Sequence, residues 1–260
     1  MAEPKRAVVT GASSGIGREF AIQLAAQGYA VVCIARREQK LQELIAELPG
    51  EQHGYFVADL ADAQSVASLS AELFSTHVDL LINNAGGSVL QPFYESELTR
   101  QQHIMNTNCA ALVSLAHAFL QQAERGDALI NLASIVAFLP TPAQPMYSAT
   151  KAFIAAFSEC LWEEQRERGV YVMGLCPGVT QTEFISGATD GESDGQTLPP
   201  ALIQTTEEVV SEALAALNKR TKAIVVTGWI NKFMLQMPRF LTRHRLIKVL
   251  AVIGDPDRAL

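Results

Sequence analysis

This sequence predicts an α/β fold: a doubly wound, three-layer αβα arrangement with one parallel sheet of seven strands between two layers of helices, and a helical extension at the C-terminal end. Three observations predict it. Short β-rich apolar runs alternate with segments of helical period along most of the chain, residues able to do chemistry cluster at the carboxyl ends of those runs, and a glycine-rich turn joins the first run to the first helix. At 260 residues the chain fits one domain, with a core over 5–228 and an extension over 229–260.

Composition narrows the function classes. A hydrophobic fraction of 48% with 18% charged residues excludes a disordered chain, and a net charge of -7 argues against nucleic acid as a partner. The chain opens without a charged-then-apolar leader and holds no uninterrupted apolar stretch of the ~18 residues a membrane span needs, so a cytoplasmic protein is expected. Cys33, Cys109, Cys160 and Cys176 lie singly in apolar segments, which predicts reduced core thiols. The five histidines show no ligand spacing, and no metal site is expected.

Taken in order, Lys5–Thr10 is a strand that runs into Gly11-Ala12-Ser13-Ser14-Gly15-Ile16-Gly17, and Ile16, Phe20 and Leu24 then repeat at helical spacing. Glycines let the backbone come close to a ligand, and a fresh helix N-terminus offers donors and a positive dipole end; a pyrophosphate fits there, although a plain tight βα turn has the same look. The second strand, Tyr29–Ala35, ends where an acidic residue would hold the ribose 2′-hydroxyl of NAD. Arg36 and Arg37 follow instead. Arginine there pairs with a 2′-phosphate, which favours NADP(H); Arg37 equally suits the exposed face of the helix Glu38–Leu48. The third strand, Tyr55–Val57, delivers Asp59 and Leu60 to an adenine ring, with Asp59 alternatively capping the helix that runs to about Ser75. After the fourth strand, Asp79–Ile82, come Asn83-Asn84-Ala85-Gly86-Gly87, small enough for close cofactor approach and also acceptable as a turn.

One long helix is predicted from about Glu97 to Gln122, and Asn106 and Asn108 are poor residues for its interior unless they have a task. Strand five, Ala128–Leu132, leads to Ser134, and Pro140, Pro142 and Pro145 stiffen the connection to a helix over Tyr147–Glu167. Tyr147 and Lys151 stand one turn apart on that helix. A phenol titrates near ~10 and a close ammonium lowers that, so the pair reads as a tuned proton donor and acceptor; alone it would equally suit a half-buried tyrosine and a solvated lysine. Strand six, Val170–Leu175, is followed by Pro177-Gly178 and Thr182. Ser186–Pro200 lacks periodicity and sits where a substrate lid belongs, the lid region extending over 186–205; Glu207–Leu217 is a helix and Ala223–Thr227 the seventh strand.

The segments TGASSGIG (Thr10–Gly17), NNAG (Asn83–Gly86), Asn108, Ser134, the Tyr147–Lys151 pentad, and Pro177-Gly178 followed by Thr182 resemble, in order and spacing, the short-chain dehydrogenase/reductase family over roughly 5–228. The resemblance implies a Rossmann-like fold and a Ser134/Tyr147/Lys151 centre with Asn108 as fourth member. Tyr147 would exchange the proton with the carbonyl or alcohol oxygen, Ser134 would hydrogen-bond that oxygen, and Lys151 would lower the Tyr147 pKa and hold the nicotinamide ribose. Asn108 would anchor a relay water. Cofactor contacts would come from Gly11, Ser13, Ser14, Gly15, Ile16, Gly17, Arg36, Arg37, Asp59, Leu60, Asn84, Ala85, Gly86, Pro177, Gly178 and Thr182, besides Tyr147 and Lys151. The expected activity is reduction by NADPH of a ketone or aldehyde on a lipophilic molecule, or the reverse oxidation, in a homodimer or homotetramer. The alternative is a non-catalytic NADP(H)-binding module that controls a partner.

The extension departs from a minimal member. Lys219–Ile253 holds eight Lys or Arg and no Asp or Glu, leaving a balance of -15 on the rest of the chain. Trp229, Ile230, Phe233, Met234 and Met237 repeat at helical spacing, and Pro238 can start a second helix bearing Phe240, Leu241, Ile247, Leu250 and Ile253. Such helices suit a cover for the cleft, a subunit contact, or an anionic membrane surface.

Overall fold

The computed structural model describes residues 4–184, 203–236 and 241–254, with side chains in the last segment described to Ala251. The expected lid Ser186–Pro200 and the expected helix start at Pro238 lie outside them. The described elements follow the predicted alternation: β1 (Arg6–Thr10), α1 (Gly15–Ala26), β2 (Ala30–Ala35), α2 (Glu38–Glu47), β3 (Gly54–Val57), α3 (Ala63–Leu73) and β4 (Leu80–Asn83). Then come α4 (Leu98–Met105), a π-helical turn (Asn106–Ala111), α5 (Leu112–Gln122), β5 (Ala128–Leu132), α6 (Pro145–Glu164) and β6 (Tyr171–Cys176). The last described elements are α7 (Thr206–Lys219), β7 (Ile224–Val226), α8 (Trp229–Met234) and α9 (Arg243–Gly254).

All seven strands are parallel, in the order β3-β2-β1-β4-β5-β6-β7. Both faces of the sheet are covered, which is why the strands read as unbroken apolar runs. Successive residues of one strand enter opposite cores: Ala7 and Val9 join Val31 and Cys33 beneath α1, α2 and α7, while Val8 joins Val32 and Ile34 beneath α3 and α5. Local chemistry sets the helix ends. Thr205 and Glu208 form a reciprocal capping box at the start of α7, and Pro145, which has no N–H to leave unpaired, occupies the first turn of α6.

Two expectations need correction here. The predicted helix Glu97–Gln122 is interrupted by the π-turn, because Asn108 bonds sideways and the backbone takes in an extra residue around it. Cys160 is exposed on α6 rather than in the core, since helical periodicity turns it outward, while Cys33 and Cys176 are buried and Cys109 is partly so. His77, Asp79 and Asp127 do converge, their ligand atoms within 4.8 Å of one another at the foot of the sheet. They partner each other and the backbone: His77 Nε2 lies 3.3 Å from Asp127 Oδ2, and the Arg6 N–H donates to Asp79 Oδ2 at 2.7 Å. Among the described residues no helix is long and apolar enough to cross a membrane.

Candidate active site

Between β1 and β4 the strand order reverses, and there a crevice opens outside the carboxyl ends of the strands. It is a cleft of about 1580 Å³. Thr10 fastens its floor, its hydroxyl accepting the N–H groups of Asn84 and Ala85, each at 2.9 Å, while Asn84 Nδ2 donates back to the Thr10 carbonyl at 2.8 Å. Gly11 turns with φ +68°, and a Cβ there would lie 2.8 Å from Asn84 Nδ2 and 2.9 Å from Ala85 Cα. Only glycine lets the turn pass so close under the end of β4. Ser14, at the N-cap of α1, makes no side-chain capping bond, so its hydroxyl does not occupy the start of that helix, where Gly15 and Ile16 line the cleft.

Of the expected cofactor residues, Gly11, Ser13, Ser14, Gly15, Ile16, Arg36, Arg37, Asp59, Leu60, Asn84, Ala85, Gly86, Pro177, Gly178 and Thr182 all line this one cleft. Gly17 does not. A Cβ there would overlap the Gly11 carbonyl and the Asn84 amide, so its place is in the packing beneath the turn. Asp59 accepts from the Ala61 N–H at 3.0 Å, and the cap of α3 falls to Asp62, which accepts from Gln64 and Ser65. Arg37 leans over the glycine turn: Nε and Nη2 donate to Ser13 Oγ at 3.1 and 3.0 Å, Nη2 donates to Ser14 Oγ at 2.7 Å, and Nη1 pairs with Glu183 at 2.9 Å. Arg36 is exposed at the same rim.

α6 brings Tyr147 and Lys151 to the cleft wall. Lys151 is buried and donates from Nζ to the Leu132 carbonyl at 2.6 Å, with Nζ 5.5 Å from the centroid of the Tyr147 ring. Ser134 stands where β5 ends; its hydroxyl receives the Val136 N–H at 3.3 Å and hydrogen-bonds Tyr147. Burial governs the titrations. It pushes the Tyr147 phenol up to about 12, against the pull of the Ser134 hydrogen bond, and it lowers the Lys151 ammonium to about 8. The expected lowering of the phenol by Lys151 is not found in the protein by itself, where desolvation raises it and the pull downward comes from Ser134.

Asn108 does not line the cleft. It is fully buried behind it, where the π-turn aims its side chain at Gly87 and at the Thr150 hydroxyl, each 3.0 Å from Nδ2. A Cβ on Gly86 would lie 3.1 Å from Asn108 Oδ1 and 3.7 Å from Lys151 Nζ, so both side chains converge on the gap behind that glycine.

Several cleft residues escaped the sequence. Phe184 packs on Tyr147 with ring centroids 5.4 Å apart, and Val89, His103, Ile104 and Gln144 also face the cleft. Val89, Gln144 and Phe184 reach it by loop paths that no local pattern marks, and His103 and Ile104 reach it from α4. Asn231, buried on α8, fills the space a Cβ on Gly178 would need and donates to the Thr227 carbonyl at 2.9 Å. An asparagine in an apolar helical run was its available signal.

Comparison with known proteins places this geometry. The family described as short chain dehydrogenase matches residues 5–193. Sulfoacetaldehyde reductase 2 of Chromohalobacter salexigens is 33% identical over 217 residues, covering 81% of this chain and 85% of that protein. A short-chain dehydrogenase from Sphingobium yanoikuyae, solved in complex with NADPH, superposes with a TM-score of 0.78 at 27% identity, over 92% of this chain and 97% of that one. The bulky-bulky ketone specific alcohol dehydrogenase from Comamonas testosteroni superposes with a TM-score of 0.75 at 26% identity, over 91% and 92%.

Proposed function

The chain belongs to the short-chain dehydrogenase family and is an NADP-dependent oxidoreductase, and from that premise we propose that it interconverts a lipophilic ketone or aldehyde with its alcohol at the Ser134/Tyr147/Lys151 centre. The observation that carries this reading is the convergence of Tyr147, Ser134 and Lys151 on the cleft that Gly11, Gly15 and Arg37 also line. The residues suit NADP(H): a glycine turn too tight for a Cβ at Gly11, an uncapped helix start for the pyrophosphate, and two arginines at the rim for a 2′-phosphate.

Bound NADPH supplies the hydride. Tyr147 gives its phenolic proton to the oxygen of the carbonyl as charge develops there, and Ser134 donates a hydrogen bond to the same oxygen. A phenol held near 12 is fully protonated at neutral pH and ready to give that proton. Lys151, whose ammonium is easily deprotonated at about 8, returns a proton toward the phenolate, and Asn108 holds the Gly86–Gly87 backbone against Lys151. Val89, Ile104 and Phe184 support an apolar substrate body, with His103 and Gln144 meeting polar substituents. Exposed Met105 and Phe153, on α4 and α6, support a homo-oligomer formed through those helices.

The test is NADPH consumption with ketones and aldehydes graded in chain length and ring content, by the native chain and by Tyr147→Phe. The expected result is saturable turnover that rises with apolar size and falls about 10²–10⁴-fold in the variant while NADPH still binds. Normal turnover by Tyr147→Phe would reject the assignment.

A further inference from the structure

The face of the extension that points away from the cleft has no task in the chemistry above. α8 is tethered through Asn231, buried against Gly178, and through Lys232, which pairs with Glu212 at 2.8 Å. Opposite Asn231 stand Trp229 and Phe233, 77% and 66% exposed, one helical turn apart and thus on a shared face. Neither side chain lines the cleft. α9 follows. It buries Leu246 and turns Arg243, His244, Arg245 and Lys248 outward, with exposed Ile247 and Val249 beside them.

Charge is sorted along the chain in the same sense. Residues 229–260 carry six Lys or Arg against two Asp, while residues 1–228 carry 14 basic and 25 acidic residues, a balance of -11. A negatively charged surface attracts the extension and repels the body, so it selects one orientation. An indole and a phenyl ring on α8 and exposed cations on α9 suit the headgroup boundary of a bilayer, where rings bury shallowly and cations meet lipid phosphates. A second acidic protein body would match the cations, but it would leave the two rings to be buried by an apolar patch that the charge pattern does not call for.

We propose that α8 and α9 dock this protein on the surface of an anionic lipid bilayer, Trp229 and Phe233 entering the headgroup boundary and Arg243, Arg245 and Lys248 facing lipid phosphates. Binding is peripheral. The docking surface stands independently of the proposed reaction, since it rests on none of the catalytic residues.

The experiment is co-sedimentation of the full chain with phosphatidylcholine vesicles, with and without phosphatidylglycerol, scored by bound fraction and not by turnover. Binding is expected with phosphatidylglycerol, weakening as salt is raised, and little is expected with phosphatidylcholine alone. Trp229→Ser with Phe233→Ser, and separately Arg243→Glu, Arg245→Glu and Lys248→Glu together, are each expected to lower partitioning. The charge variant should lose at least about 100-fold, since each basic residue near an anionic surface contributes roughly fivefold. NADPH binding and the melting temperature should be retained by both variants, because the altered side chains are exposed. Absence of phosphatidylglycerol-dependent binding overturns the proposal, as do variants that sediment like the native chain. A fall in oligomer mass in Trp229→Ser/Phe233→Ser would assign the face to a second copy and also overturn it.

Discussion

Asn108 grips Gly87 by both of its backbone groups: the Gly87 N–H donates to Asn108 Oδ1 at 2.9 Å, and Asn108 Nδ2 donates to the Gly87 carbonyl at 3.0 Å. The loop after β4 is thereby locked to the helix layer at a fully buried point. Replacement by alanine leaves the Gly87 N–H and carbonyl and the Thr150 hydroxyl without this partner. Asn108→Ala is expected to lower unfolding free energy by roughly 3 kcal/mol, read from denaturant midpoints at constant slope. An unchanged midpoint would mean that water replaces the amide.

Arg37 lies over Ser13 and Ser14, where a 2′-phosphate would enter between guanidinium and hydroxyls. Fluorescence titration should show Arg37→Ala binding NADPH about 10–100-fold more weakly, with NADH binding little changed. Equal losses for both nucleotides would mean that Arg37 only shapes the glycine turn.

Gly178→Ala and Gly54→Ala separate tight from open glycines. A Cβ at 178 would overlap the Asn231 amide, whereas nothing lies within 4 Å of one at 54. The former should destabilise by about 1–3 kcal/mol and speed proteolysis within 229–236, and the latter should be near neutral. Protection of the extension in Gly178→Ala would show that α8 is held elsewhere.

Lys151 ties stability to pH. Its folded value of about 8 lies below the ordinary 10.5, so between those values the unfolded chain binds more protons and stability rises with pH. The gain is fully present above about 10.5 and is lost as pH falls through about 8. For this buried group the gap amounts to about 3 kcal/mol. Denaturant melts of the nucleotide-free protein should climb between pH 8 and pH 10 in the native chain and stay flatter in Lys151→Met. Parallel profiles would place the titration on another group.

The sheet was legible because each strand, covered on both faces, wrote itself as a continuous apolar run, and the site because its residues sit at strand ends in short local groups. What escaped was non-local. The π-turn arises from where Asn108 bonds, not from helix propensity, and Phe184 reaches Tyr147 by a loop path with no period to read. Arg37 was ambiguous for a related reason: the start of α2 allowed both rim and surface, and only its hydroxyl partners distinguish them. The direction of the Tyr147 shift is set by burial, which is a property of the folded chain and not of the Tyr147/Lys151 spacing.

The π-turn at Asn106–Ala111 also sets a limit on engineering. It carries one residue more than an α-helical path would, so deleting a residue there would restore the regular ladder and strengthen the rod from α4 to α5. The same deletion would rotate Asn108 away from Gly87. Thermostability screens that reward regular helices would therefore tend to remove the very irregularity that aims this side chain, yielding hardier descendants that have lost their trade.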